Sequence, residues 1–187
     1  FLGWANSKIV GRVCRNMDRK RTTKVFRWAQ VASGAGVAFM HGAQDGQKFM
    51  SIFVLAITLA TGVGQADQMV LPIWLMFFCA LNMGIGTAVG GERIIKSVGL
   101  DMVKLEPFQG FAASAATFFC LMLSTFAGLP VSTTHTNTTA IMGVGAAKRK
   151  SAVKWGIAVD MVKTWVLTFP GCGLLGFAFA HLFLFFS

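Results

Sequence analysis

Residues 128–147 read GLPVSTTHTNTTAIMGVGAA, a row of hydroxyls with an amide and a histidine but no Asp, Glu, Lys or Arg. The apolar stretch GFAASAATFFCLMLSTFAGL, residues 110–129, runs into it, and Lys148, Arg149, Lys150 and Lys154 follow it. Arg93, Lys96 and Lys104 lie upstream. Basic loops mark the cytosolic side of a membrane, so 107–147 start and finish on one side. The return arm, 139–147, is far shorter than the roughly 20 residues a spanning helix needs. The spacing therefore predicts a helix, a turn buried at 130–137, and a shorter helix going back: a re-entrant-type hairpin. Non-helical backbone is tolerated at that depth only against protein or a water-filled cavity.

A second polar island, HGAQDGQKFMSIF at 41–53, interrupts the apolar run 28–61. As one helix that run would reach about 50 Å, against a hydrocarbon core of about 30 Å. Gly42 and Gly46 weaken a helix beside the polar residues, so a break at 42–46 is expected. Residues 62–68 lack Lys and Arg and read as an outer loop, 70–89 as the next span, and 91–106 as a cytosolic loop. In the last run, 155–186, Asp160 and Lys163 read as a local ion pair, and Pro170 predicts a kink.

Composition agrees. Of 187 residues, 55% are hydrophobic and 13% charged, where a soluble domain carries about a quarter charged residues. The runs lack period-2 alternation, which leaves an all-α polytopic membrane protein with broken transmembrane helices. Much of the formal charge of +10 crowds residues 1–27. Such a cluster can bind nucleic acid, but beside membrane spans it reads as a cytosolic segment on anionic lipid, without a nucleic-acid partner. Trp4, Ile9, Val10, Val13 and Met17 recur at helical spacing, as in an amphipathic interfacial helix. The organisation is a basic segment, 1–27, and a transmembrane domain, 28–187. Cys14, Cys79, Cys120 and Cys172 form no CxxC and read as small packing residues. The chain opens on Phe1 without a signal-peptide pattern and reads as part of a longer protein.

The islands suggest their chemistry. A helix that starts in mid-membrane offers free N–H groups to an anion, and the carbonyls freed before it suit a small cation. Ser132, Thr133 and Thr134 are compact donors, and the 130–132 start suits a capped helix. Asp45 can hold Na⁺ or carry a proton, and an acid within a membrane is functional by default. Gln44 can donate to substrate, while Lys48 can pair with Asp45 at i, i+3 or face an anion. His41, His135 and Asn137 stand close by in sequence. Each Ser or Thr can equally bond its own helix carbonyls, and each His can serve packing alone. No nucleophile–base–acid set is present, so the residues point to transport or binding rather than to an enzyme, and they imply no cofactor beyond a coupling Na⁺ or H⁺.

GVAFMHGAQDGQKFMSIF at 36–53 and GLPVSTTHTNTTAIMGVGAA at 128–147 resemble the paired hallmarks in one half of the PiT family of inorganic phosphate transporters. The stretch 86–116 resembles that family's connecting loop and next span, and the likeness runs in order from about residue 34 to 176. Gln44 stands where that family usually has Asn. The resemblance implies an inverted-repeat symporter of phosphate with Na⁺ or H⁺ in a bacterial cytoplasmic membrane. This chain would be the C-terminal repeat with its preceding cytosolic linker. Its implied partners are phosphate, the coupling cation, the other repeat, membrane lipids and a homodimer mate. By position, Gln44 and Asp45 would lie near cation and phosphate, and Ser132, Thr133 and Thr134 would hold phosphate. Sulfate, a similar oxyanion, is the rival substrate, and a non-transporting membrane scaffold or receptor the rival class.

Overall fold

The computed structural model describes residues 1–15, 19–61 and 72–186. These are almost wholly helical, as the apolar runs require, and they divide into two units, Phe1–Val153 and Lys154–Ser187. In the first unit α1 is Leu2–Val13, α2 Arg19–Thr61, α3 Ile73–Ile94, α4 Pro107–Phe126 and α5 Thr133–Lys148. The second unit is one helix, α6, Trp155–Phe186. Among the described residues three helices are long and apolar enough to cross a membrane: Ile73–Glu92, Pro107–Phe126 and Trp155–Phe185. The fold is that of an all-α membrane protein.

The hairpin is present, with a shifted turn. Helix α4 starts at a capping box in which Glu106 and Gln109 each bond the other's backbone N–H, followed by Pro107 at the first helical position. It ends in a Schellman closure: Leu129 N–H donates to the Ser124 carbonyl and Gly128 N–H to the Thr125 carbonyl. Gly128 has φ +67°, the left-handed conformation this closure needs. Helix α5 then opens at the Ser132 cap, whose Oγ accepts from His135 N–H. Residues 133–137, expected within a buried turn, are therefore helical, and 127–130 are exposed. The hydroxyl-rich stretch supplies its own cap, so the helix begins as soon as Pro130 is passed.

Small residues make the packing possible. Ala112, Ala113, Ala115 and Ala116 of α4 are buried, and Thr117 beside them donates to Asn137 Oδ1 of α5 at 3.3 Å. Lys148 of α5 reaches Glu106 at 3.0 Å and ties the far end of the hairpin. Helix α1 lies on α4 and α5. Its inward residues are Gly3 and Ser7, with Asn6 donating to the Ala112 carbonyl at 2.8 Å and Val10 of the proposed stripe packed against Ala112, Ala113 and Val144, whereas Trp4, Ile9 and Val13 are exposed. Met17 of the proposed apolar stripe and the proposed outer loop 62–68 lie outside the described residues.

Two expectations are corrected. Helix α2 runs unbroken through 42–46. At 43 residues it is about 64 Å long. His41, Gln44, Asp45 and Lys48 recur at i, i+3, i+4 and i+7, so a continuous helix already carries them towards one side. A helical glycine costs only about 1 kcal/mol relative to Ala, which this packing outweighs. The run 28–61, read as a span, belongs to this helix, and its polar island keeps it outside the apolar class of α3, α4 and α6. Second, the segment read as a cytosolic loop, 91–106, is largely helical. Helix α3 passes into a π-helical stretch, Ile95–Met102, and Val103 then pairs with Val153 in an isolated antiparallel bridge. In the second unit α6 continues through Pro170, and Asp160 pairs with Lys163 at 3.3 Å.

Candidate functional site

The two islands meet. Helix α2 presents His41, Gln44, Asp45 and Lys48 to α4, the turn and the start of α5. Thr133 Oγ1 lies 2.6 Å from His41 Nδ1 and donates to Asp45 Oδ2 at 3.4 Å. His41 Nδ1 is itself 3.3 Å from Asp45 Oδ2. A hydroxyl has one proton, so when Thr133 donates to Asp45 its oxygen accepts from His41 Nδ1–H. The three side chains then form a chain of donors ending on the carboxylate.

Asp45 has a second partner. Lys48 Nζ donates to Asp45 Oδ1 at 2.8 Å and to the Val131 carbonyl at 2.7 Å. The ammonium thus links α2 to the turn just before the Ser132 cap. Gln44 is buried, and its Nε2 donates to Thr125 Oγ1 at 2.8 Å and to the Leu121 carbonyl at 3.4 Å, both on α4. That places the Gln44 amide between helices, as a tie rather than an open donor.

Two cavities flank this cluster. The larger, about 590 Å³, lies between α2 and α3, with His41 and Asp45 at its polar end and Phe49, Phe53, Phe78 and Asn82 along it. The smaller, about 280 Å³, is lined by Gln44, Gln47, Lys48, Ser51 and Thr125 together with the turn residues 128–130. The Asp45–Lys48 pair joins a residue of one wall to a residue of the other.

The remaining candidates divide. Ser132 caps α5, Thr134 is exposed, and Asn137 bonds Thr117. His135 contributes its backbone N–H to the cap. The sequence reading missed Thr125, Thr117 and the Val131 carbonyl. Thr125 had a signal, since it follows Ser124 inside an apolar run near a turn, where a hydroxyl needs a partner. All four cysteines are free, and among the described residues no group of three or more His, Cys, Asp or Glu could hold a metal ion.

The site thus unites an acid, an ammonium, hydroxyls and a capped helix start on a scaffold of membrane-type helices. The chain belongs to the phosphate transporter family, whose model it matches over residues 7–176. A probable low-affinity inorganic phosphate transporter of Bacillus subtilis is 38% identical over 175 residues, which cover 94% of this chain and 52% of that protein. One of the same description from Rhizobium meliloti is 41% identical over 150 residues, 80% of this chain and 44% of the relative. The sodium-dependent phosphate transporter 1-B of Xenopus laevis is 27% identical over 168 residues, 90% of this chain and 24% of the relative. The chain spans about half the length of the Bacillus relative and less of the other two. No solved structure matches it.

Proposed function

We propose that the protein containing this chain carries inorganic phosphate across a bacterial cytoplasmic membrane as a symporter, and that this chain supplies one half of the site. The observation that carries the reading is the junction of the two islands, Thr133 with His41 and Asp45, and Lys48 with Val131. The smaller cavity is the seat for the anion. Its volume of about 280 Å³ equals roughly nine water volumes, room for a tetrahedral oxyanion with part of its hydration. The Gln47 amide supplies donors there, and the Lys48 ammonium lies at the cavity wall. Asp45 is the coupling carboxylate, and His41 and Thr133 fix its orientation. The exposed Thr134 and the start of α5 are the part that the other repeat completes. The basic segment faces the cytosol.

Transport through such a site needs no covalent step. Exposure alternates as one part of the fold moves against another.

The test is radiolabelled phosphate uptake by the full-length protein, with Na⁺ and pH varied independently and sulfate as competitor. Asp45→Asn is expected to abolish coupled uptake at near-normal expression. Wild-type uptake by that variant would refute the assignment, and strong competition by sulfate would overturn the substrate.

A further inference from the structure

Lys48 makes a contact that a surface ion pair does not make. The chain contains an ordinary example for comparison: Lys163 and Asp160 form an i, i+3 pair at 3.3 Å with side chains 66% and 74% exposed. Among the described residues the Lys163 ammonium bonds only Asp160. Lys48 and Asp45 share that spacing, but the pair is drawn in to 2.8 Å, and the ammonium also takes the Val131 carbonyl at 2.7 Å. Val131 precedes the cap of α5, so its carbonyl lies outside the helical ladder. A carboxylate oxygen together with a carbonyl freed at a helix boundary is the ligand type that coupling cations take in transporters of this architecture. Here a lysine stands between them. Its ammonium is a compact single charge with three donors and no acceptor. Two donors go to these oxygens, and Lys48 also lines the 280 Å³ cavity assigned above to the anion.

We propose that the Lys48 ammonium is a tethered cation that fills the coupling-cation position at Asp45, so that Na⁺ does not bind there. The inference rests on the transport reading and specifies the cation side of that site: of the two coupling ions Na⁺ is excluded and H⁺ remains. Asp45 and Lys48 together are neutral, so a Na⁺ approaching the same oxygens meets a like charge already in contact with both. Of the pair only the ammonium lines the neighbouring cavity, so an anion there meets the positive end of the pair, where it would otherwise meet a co-transported Na⁺. The tether makes that arrangement permanent, at i, i+3 on one helix, and independent of external Na⁺.

The experiment compares the full-length wild type with Lys48→Arg and Lys48→Ala. Phosphate uptake into liposomes is measured at fixed pH with Na⁺ or choline. Binding of radioactive Na⁺ to the purified proteins is measured in parallel. The wild type is expected to take up phosphate equally in either salt and to show no saturable Na⁺ binding. Lys48→Ala opens the position: it binds Na⁺ saturably, loses that binding when Asp45→Asn is added, and depends on Na⁺ for uptake by about tenfold or more, the equivalent of 1.4 kcal/mol. Lys48→Arg keeps the charge and stays free of a Na⁺ requirement. If Lys48→Ala does not transport, Na⁺ binding alone decides, and its absence overturns the proposal. A wild type that needs Na⁺, or binds it through Asp45, overturns it too. A variant with a raised KM for phosphate and no Na⁺ dependence makes Lys48 an anion ligand instead, which also overturns it. Failure of the wild type to take up phosphate defeats the transport reading, while gain of Na⁺ binding in Lys48→Ala would still support the cation position.

Discussion

The Thr133 hydroxyl is the point where the hairpin touches the acid, and replacing Thr133 with Val removes that contact while keeping the side chain's shape. Thr133 is 5% exposed. Its oxygen is 2.6 Å from His41 Nδ1 and 3.4 Å from Asp45 Oδ2. The new methyl leaves both without this partner. A fully buried polar group deprived of its partner costs about 1–3 kcal/mol, and the His41 and Asp45 side chains are only partly buried. His41 and Asp45 are 3.3 Å apart and can bond each other directly, which favours the lower part of that range. A loss of about 1–2 kcal/mol corresponds to a factor of about 5–30. Phosphate uptake by the full-length protein in liposomes, read as initial rate over substrate concentration, is expected to fall by that factor. Thr133→Ser, which retains the hydroxyl, is expected to recover most of it. Thr139→Val is the control, because that exposed hydroxyl bonds only carbonyls of its own helix. Uptake by Thr133→Val at the wild-type rate, or a Ser variant as impaired as the Val one, would refute the role given to this contact.

Other perturbations separate packing from function. At Gly3 an added Cβ would collide with the Ala140 backbone carbonyl of α5, which cannot swing aside, so Gly3→Ala is expected to cost about 1–3 kcal/mol and to lower the thermal midpoint in detergent. Gly110→Ala meets the end of the flexible Gln30 side chain and should lower it less, which the same melting series checks. Gln44→Leu removes the tie from α2 to Thr125 and Leu121, with an expected loss of about 1 kcal/mol in denaturant titration. This chain reconstituted alone as a proven monomer is expected to carry no phosphate into liposomes, and measurable uptake would contradict the half-site reading.

Much of this arrangement could be read from residue order, because its causes are local. The hairpin follows from basic residues on both sides of an arm too short to span. The Ser132 cap follows from a proline and a hydroxyl ahead of a helix-compatible run. The pairing of Asp45 with Lys48 follows from i, i+3 spacing. What escaped depends on neighbours. Gly42 and Gly46 signal a break, yet α2 stays whole because its polar residues already share a side that α4 and α5 complete. The Gln44 amide looks available until Thr125 is found 2.8 Å away on another helix. Trp4, Ile9 and Val13 mark an apolar stripe on α1, but nothing in that stripe shows that Gly3 and Ser7 form the face packed on α5, where close approach requires small residues.

The unbroken α2 has a mechanical consequence. From Lys24, within the basic stretch, to Asp45 the helix rises about 32 Å. Over that length Phe26, Gln30 and Gly36 pack against Phe111, Gly110 and Phe118 of α4, so the rod tilts only together with α4. Rotating the rod by about 5° about its Asp45 end sweeps its basic end through roughly 3 Å, on the scale of one hydrogen-bond length. A displacement imposed at that end is carried along the helix, with no break on the way, to the turn that holds the carboxylate.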